Sequence, residues 1–219
     1  MRRLIFAFCL CLPLPAFASD GVASDGKLTN KDLYRLAACG AVPGGKCQGP
    51  FVRWNQPVIT VAMPPADPGM DPALAKQIST ALDQAIATLN AARSGIRLQR
   101  GISRSRPDIV VHRAGLKEGQ RTKGIRGMSD GLEIGVGYMQ INWDDNLNIT
   151  DGAIVIASDI APEDVRSVML EELTQSLGFL YDIENPFYEG VSIFSQDSNE
   201  TTAIAGQDRA ILRLHYPAN

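Results

Sequence analysis

Histidine is nearly absent from this chain, with His112 and His215 the only two among 219 residues. A centre that gathers imidazoles, to ligate zinc or to relay protons to a nucleophile, therefore lacks its usual material. Each lone histidine is expected to serve structure, His112 from a strand and His215 from a terminal helix. Cysteine is also scarce: of four, Cys9 and Cys11 fall in the first apolar run, and only Cys39 and Cys47 remain. Their spacing is not C-x-x-C, which argues against a redox pair. The apolar run Leu4 to Leu14 is shorter than the roughly 20 residues of a membrane-spanning helix. Nor is there an excess of positive charge, with 21 basic against 24 acidic residues, so neither nucleic acid nor an anionic membrane surface is indicated as a partner.

What the N-terminus does contain is the pattern of a secretory leader. Arg2 and Arg3 precede the apolar run, and Ala16-Phe17-Ala18 is a small-residue cleavage site, so residues 1–18 are expected to be a signal peptide cut before Ser19. The mature chain would be periplasmic or secreted, with no stable membrane insertion. Taking Arg2 and Arg3 from the 21 basic residues leaves 19 against 24 acids, a net charge of −5. In an exported protein an even pair of cysteines is expected to bond, so Cys39 and Cys47 are predicted to close the loop of Gly40-Ala41-Val42-Pro43-Gly44-Gly45-Lys46.

Residues 19–52 read as an N-terminal extension, polar at first and then helical. Thr29 and Asp32 have capping-box spacing before a short helix, Leu33 to Ala38, that Gly40 would stop. From residue 53 to 219 the pattern is that of one α/β domain. Pro57 to Met63 reads as a strand, and Leu74, Ile78, Leu82, Ile86 and Leu89 set an amphipathic helix over 72–92. Short strands are expected at Ile96–Gln99 and Asp108–Arg113. Residues 114–131, with four glycines before Gly131 and with Lys117, Arg121, Lys123 and Arg126, read as a mobile loop or flap with a solvated basic surface. Leu132–Trp143 alternates as one strand or a bulged pair, and Ile149–Ser158 as a strand interrupted by Asp151-Gly152. The turn Asp144-Asp145-Asn146-Leu147-Asn148 offers oxygens of the kind calcium takes, but without the spaced glycine and closing glutamate of a calcium loop, and it reads first as a polar turn.

A helix over 163–178 carries the chemistry. Val165, Val168, Met169, Leu173 and Leu177 form its buried stripe, while Glu171, Gln175 and Gly178 share another side with Glu172 beside them. On spacing alone, the two glutamates read as a solvated or salt-bridged helix face. The run Glu171-Glu172-Leu173-Thr174-Gln175-Ser176-Leu177-Gly178-Phe179-Leu180-Tyr181 resembles the zinc helix of metzincin proteases, H-E-x-x-H-x-x-G-x-x-H. The likeness extends loosely over 53–217: Trp54 and its strand, Arg106-Pro107-Asp108-Ile109-Val110-Val111, Ser192-Ile193-Phe194 where a Met-turn would stand, and a C-terminal helix over 207–216. It also points to an uncharacterised family of secreted bacterial domains.

That resemblance implies an α/β zincin-like fold: a twisted mixed sheet, the long helix packed on it, and a degenerate active-site helix lining a cleft below the edge strand. Glu172 matches the general base and Gly178 the turn glycine. The metal-ligand positions fall on Glu171, Gln175 and Tyr181, or on Asp182 if the register slips by one. Every metzincin histidine is missing, so zinc is not expected, no cofactor is assigned, and an active zinc peptidase is not the leading reading. The leading reading is a protease scaffold whose old cleft binds a peptide or protein partner. One alternative is a hydrolase using Glu172 as general base, with Asp182 or Glu184 as its partner or with a metal held by oxygens of Glu171, Gln175 or Asp182. Another is a structural envelope or secretion-assembly component.

Overall fold

The computed structural model describes residues 16–17, 19–101 and 106–218. The basic start, the apolar run with Cys9 and Cys11, and Ala18 at the expected cleavage point lie outside the described residues. The elements run β1 (Ala16–Phe17), β2 (Ser19–Ala23), α1 (Asn30–Cys39), β3 (Val58–Ala62), α2 (Pro72–Ala91), β4 (Arg97–Arg100), β5 (Ile109–His112), β6 (Gly137–Trp143), β7 (Ile149–Ile156), α3 (Val165–Gln175), β8 (Tyr181–Glu184) and α4 (Gly206–His215). The class is α/β, built on a mixed sheet in the order β1-β6-β7-β5-β3-β4, with β2 and β8 paired separately. Strands β4, β3, β5 and β7 are mutually parallel, whereas β6 runs antiparallel to β7 and carries β1 antiparallel on its outer side.

Local chemistry accounts for the helices. Thr29 caps α1 by accepting from Asp32 N at 3.1 Å and donating to the Asp32 carboxylate at 2.7 Å, and Gly40 ends the helix in the left-handed conformation. Asp71 accepts from Ala73 N and Leu74 N at the start of α2, with Pro72 in its first turn. The helical stripe of α2 packs beside α3 on one face of the sheet, where alternate strand residues Ile59 and Val61, Ile109 and Val111, Met139 and Ile141, and Ile154 and Ile156 meet them. Leu33 and Leu36 of α1 enter the same core against α4 and β8.

Two readings of the sequence change. β7 is continuous through Asp151-Gly152, because Gly152 sits between Ile141 and Ile109 where a side chain would press on both at 3.3–3.4 Å, and the irregularity falls instead at Asn142/Trp143 of β6. The 114–131 segment is not a loose flap. Its backbone is tied to the end of β7 through Ser158 N to Leu116 O at 2.6 Å and Glu118 N to Asp159 at 3.0 Å, and it covers the outer sheet face over Ala153, Val155 and Ala157. The polar turn at 144–148 is held by Asp144, which accepts from Asn146 N, Asn148 N and Asn148 Nδ2.

Cys39 and Cys47 are bonded, joining the end of α1 to the loop after it. A cross-link this short restricts the unfolded chain by about 2–3 kcal/mol. Reduction, or the Cys39→Ser/Cys47→Ser pair, is expected to lower stability by that amount in denaturant melts, with the unfolding slope little changed. Among the described residues no helix is long and apolar enough to cross a membrane.

Candidate functional site

Helix α3 is buried nearly all round, and its C-terminal end is fastened by side chains from distant parts of the chain. Trp54 Nε1 donates to Ser176 O at 3.0 Å, and Tyr216 Oη donates to Leu177 O at 2.6 Å while accepting from Trp54 N at 3.0 Å. These bonds satisfy carbonyls that a helix end leaves open. Gly178 follows at φ 102°, packed so closely on the Val52 carbonyl that a Cβ would collide with it and stand 2.9 Å from His215 Nε2. His215 Nε2 donates to Val52 O at 3.0 Å, which leaves Nδ1 to accept from Tyr34 Oη at 3.1 Å. Burial pushes this imidazole down to about 4, so it is neutral and structural.

The turn at Gly178 sends the chain back along α3 as β8, and the register decides which third-position residue reaches the helix. Gln175 Nε2 donates to Asp182 Oδ1 at 2.6 Å, so Asp182 joins Gln175. Tyr181 points the other way, its ring filling the space beside Gly40 in the disulfide loop and Gly49 just after it. Glu184 is exposed, and Asp182 is the acid that acts on Glu172.

Glu172 is 7 % exposed and lies under the first residue of β6. A Cβ on Gly137 would collide with Glu172 Oε1 and come within 2.5 Å of Val168 Cγ1, so the missing side chain is what admits the carboxyl beneath the strand. Glu172 Oε2 is buried without a hydrogen-bond partner among the described residues. Burial, with Asp182 adding, pushes the Glu172 carboxyl up to about 8. Burial likewise pushes Asp182 up to about 7, against the bond from Gln175. Glu171, partly exposed as a residue, is raised well above the carboxylate range by desolvation of its carboxyl and then by Asp182 and Glu172. Tyr138 on β6 is pushed up to about 12, by burial first and Glu172 second.

The two ion pairs among the described residues, Arg100–Asp83 and Arg121–Glu133, lie elsewhere, so the three acids meet no Lys or Arg there. Among the described residues no group of three or more His, Cys, Asp or Glu is arranged to hold a metal ion. What the arrangement can do is hold a proton near neutral pH and receive a cation or a hydrogen-bonding group at Glu172. Below it the Ser192-Ile193-Phe194 turn is fixed by Asp208, which accepts from Ser192 Oγ at 2.7 Å and Ile193 N at 2.9 Å, and Phe194 packs on Phe179 at 5.1 Å between ring centres.

Sequence reasoning missed Gly137, Tyr138 and Asp208. A glycine at the start of an alternating run is a sign of close backbone approach, and Gly137 was open to that reading. A cavity of about 500 Å³ is not at these carboxyls. It lies on the opposite sheet face, lined by Val110 and His112, whereas their neighbours Ile109 and Val111 face the helices.

The chain matches, over residues 37–219, the family described as protein of unknown function (DUF2927), and it belongs to that family. A search of curated proteins finds no match to it.

Proposed function

Within that family, we propose that this chain is an exported protein that binds an extended peptide along the outer edge of β6, on a protease-like scaffold whose zinc-ligand positions now hold Glu171, Gln175 and Asp182. The observation that carries the reading is the course of the chain's own N-terminal backbone. Ala16–Phe17 adds antiparallel to Gln140–Ile141 of β6, and Ser19–Ala23 runs parallel to β8, so extended chain is held on the two strands that flank the carboxyls. Removal of the expected leader before Ser19 frees the β6 edge for a partner. The Cys39–Cys47 bond supports an oxidising compartment.

Acids raised by burial and by one another favour a peptide that brings positive charge to Glu172. Binding then shifts the carboxyls toward ionisation, so the affinity of the mature protein for a lysine-containing ten-residue peptide is expected to rise from pH 6 to pH 8, by up to tenfold per unit while one carboxyl must lose its proton. Titration calorimetry of wild type and Glu172→Gln checks this. The variant is expected to lose most of the pH dependence. No binding to any extended peptide, or affinity indifferent to pH in wild type, would sink the reading.

A second reading has its own support in the unpartnered Glu172 Oε2 and a carboxyl that holds its proton near neutrality, both suited to acid/base hydrolysis. Peptide cleavage lost in Glu172→Gln with binding retained would favour that hydrolase.

A further inference from the structure

The basic 114–131 segment, left without a role by the carboxyl site, walls the 500 Å³ cavity on the far side of the sheet. We infer that this cavity is a second binding site, for a small organic acid whose apolar body lies on Val110, Leu116 and Ile125 and whose anionic group faces Lys123 and Arg126. The volume is that of an ordinary small-molecule site, and its make-up is the usual one, an apolar floor with a few placed polar groups.

The wall is built rather than incidental. His112 Nε2 donates to Arg126 O at 2.8 Å, tying the segment to β5, and Gly124 N donates to Asp130 Oδ1 at 2.7 Å within it. Ser158 Oγ donates to Gly115 O at 3.1 Å at its root. The imidazole leaves Nδ1 as an acceptor, and burial lowers its pKa, so it adds no charge at neutral pH.

Charge selects the ligand's sign. Neither Lys123 nor Arg126 is in an ion pair among the described residues. Asp67, the one acid among the cavity's lining residues, has an oxygen committed to Gly69 N at 2.9 Å. Two free cations over an apolar floor suit a carboxylate with a hydrocarbon or aryl body better than a neutral or cationic molecule.

Decanoate and 2-naphthoate, with decanol and 2-naphthalenemethanol as uncharged partners, are the probes for amide-resolved NMR titration of the mature protein. The acids are expected to bind one to one with shifts centred on residues 110–126, at least fivefold tighter than the alcohols. Charge reversal at the exposed positions, Lys123→Glu with Arg126→Glu, is expected to weaken the acids at least tenfold with the melting temperature unchanged, and Val110→Trp to fill the floor and block both probe types. Glu172→Gln is expected to leave this binding untouched, which separates the site from the peptide cleft. No shifts up to roughly 1 mM, equal binding of acid and alcohol, or indifference to the charge reversal would each overturn the inference.

Discussion

Replacing Gly178 by alanine is expected to cost more than about 4 kcal/mol, among the largest single-residue effects this fold can show. Two independent penalties combine there. The backbone sits at φ 102°, which strains any side chain by about 1–2 kcal/mol, and the new Cβ would collide with the Val52 carbonyl while standing 2.9 Å from His215 Nε2. Moving Val52 breaks its bond from His215, leaving a buried donor and acceptor at a further cost of about 1–3 kcal/mol or more. Gly119→Ala is the matched control, because Gly119 is at φ 76° with open space around it, so it isolates the backbone strain. A chemical-denaturation comparison in which the two variants lose equal stability would contradict the close-approach account.

Stability is expected to fall, not rise, as pH increases from 5 to 8. A carboxyl whose folded pKa is raised stays protonated in the folded protein after the unfolded chain has released its proton. Folding then takes up a proton, and stability drops by about 1.4 kcal/mol per pH unit for each such group. For Glu172 the window runs from the usual 4.5 to about 8, and for Asp182 from 3.8 to about 7. Wild type is expected to lose at least about 3 kcal/mol across pH 5–8. Glu172→Gln, neutral at every pH, is expected to match wild type near pH 5, to lose less, and to be the more stable protein at pH 8. A variant less stable than wild type at pH 8 would mean that the carboxylate has a counter-charge.

The sheet and the long helix were legible because each rests on a local signal. The apolar spacing of α2, the Thr29–Asp32 box and the paired cysteines each name an element without knowledge of the rest of the chain. Helix α3 was legible only on one face. Its apolar stripe was clear, but Glu172, Thr174 and Gln175 are buried as well, because β8 and the 179–196 segment fold over the side that periodicity assigns to solvent. The pairing of Ser19–Ala23 with β8 had no local signal either, since a polar Gly/Ser/Asp stretch becomes a strand only when a partner edge is offered.

The motif resemblance singled out Glu171, Glu172 and Gln175, and left open whether Tyr181 or Asp182 would face them. Asp182 is the residue bonded to Gln175, and strand alternation after a glycine turn is visible only in three dimensions. The partner of Glu172 on the sheet, Gly137, carries no side chain to announce it. Its role follows from what a Cβ would strike.

The most direct test of the central claim, that α3 and β8 present buried carboxyls without counter-charge beneath β6, is a carbon-13 NMR titration of the side-chain carboxyls in the mature protein. Two resonances, assigned by Glu172→Gln and Asp182→Asn, are expected to titrate near 8 and 7. Both titrating below about 5, in the ordinary carboxylate range, would contradict the account.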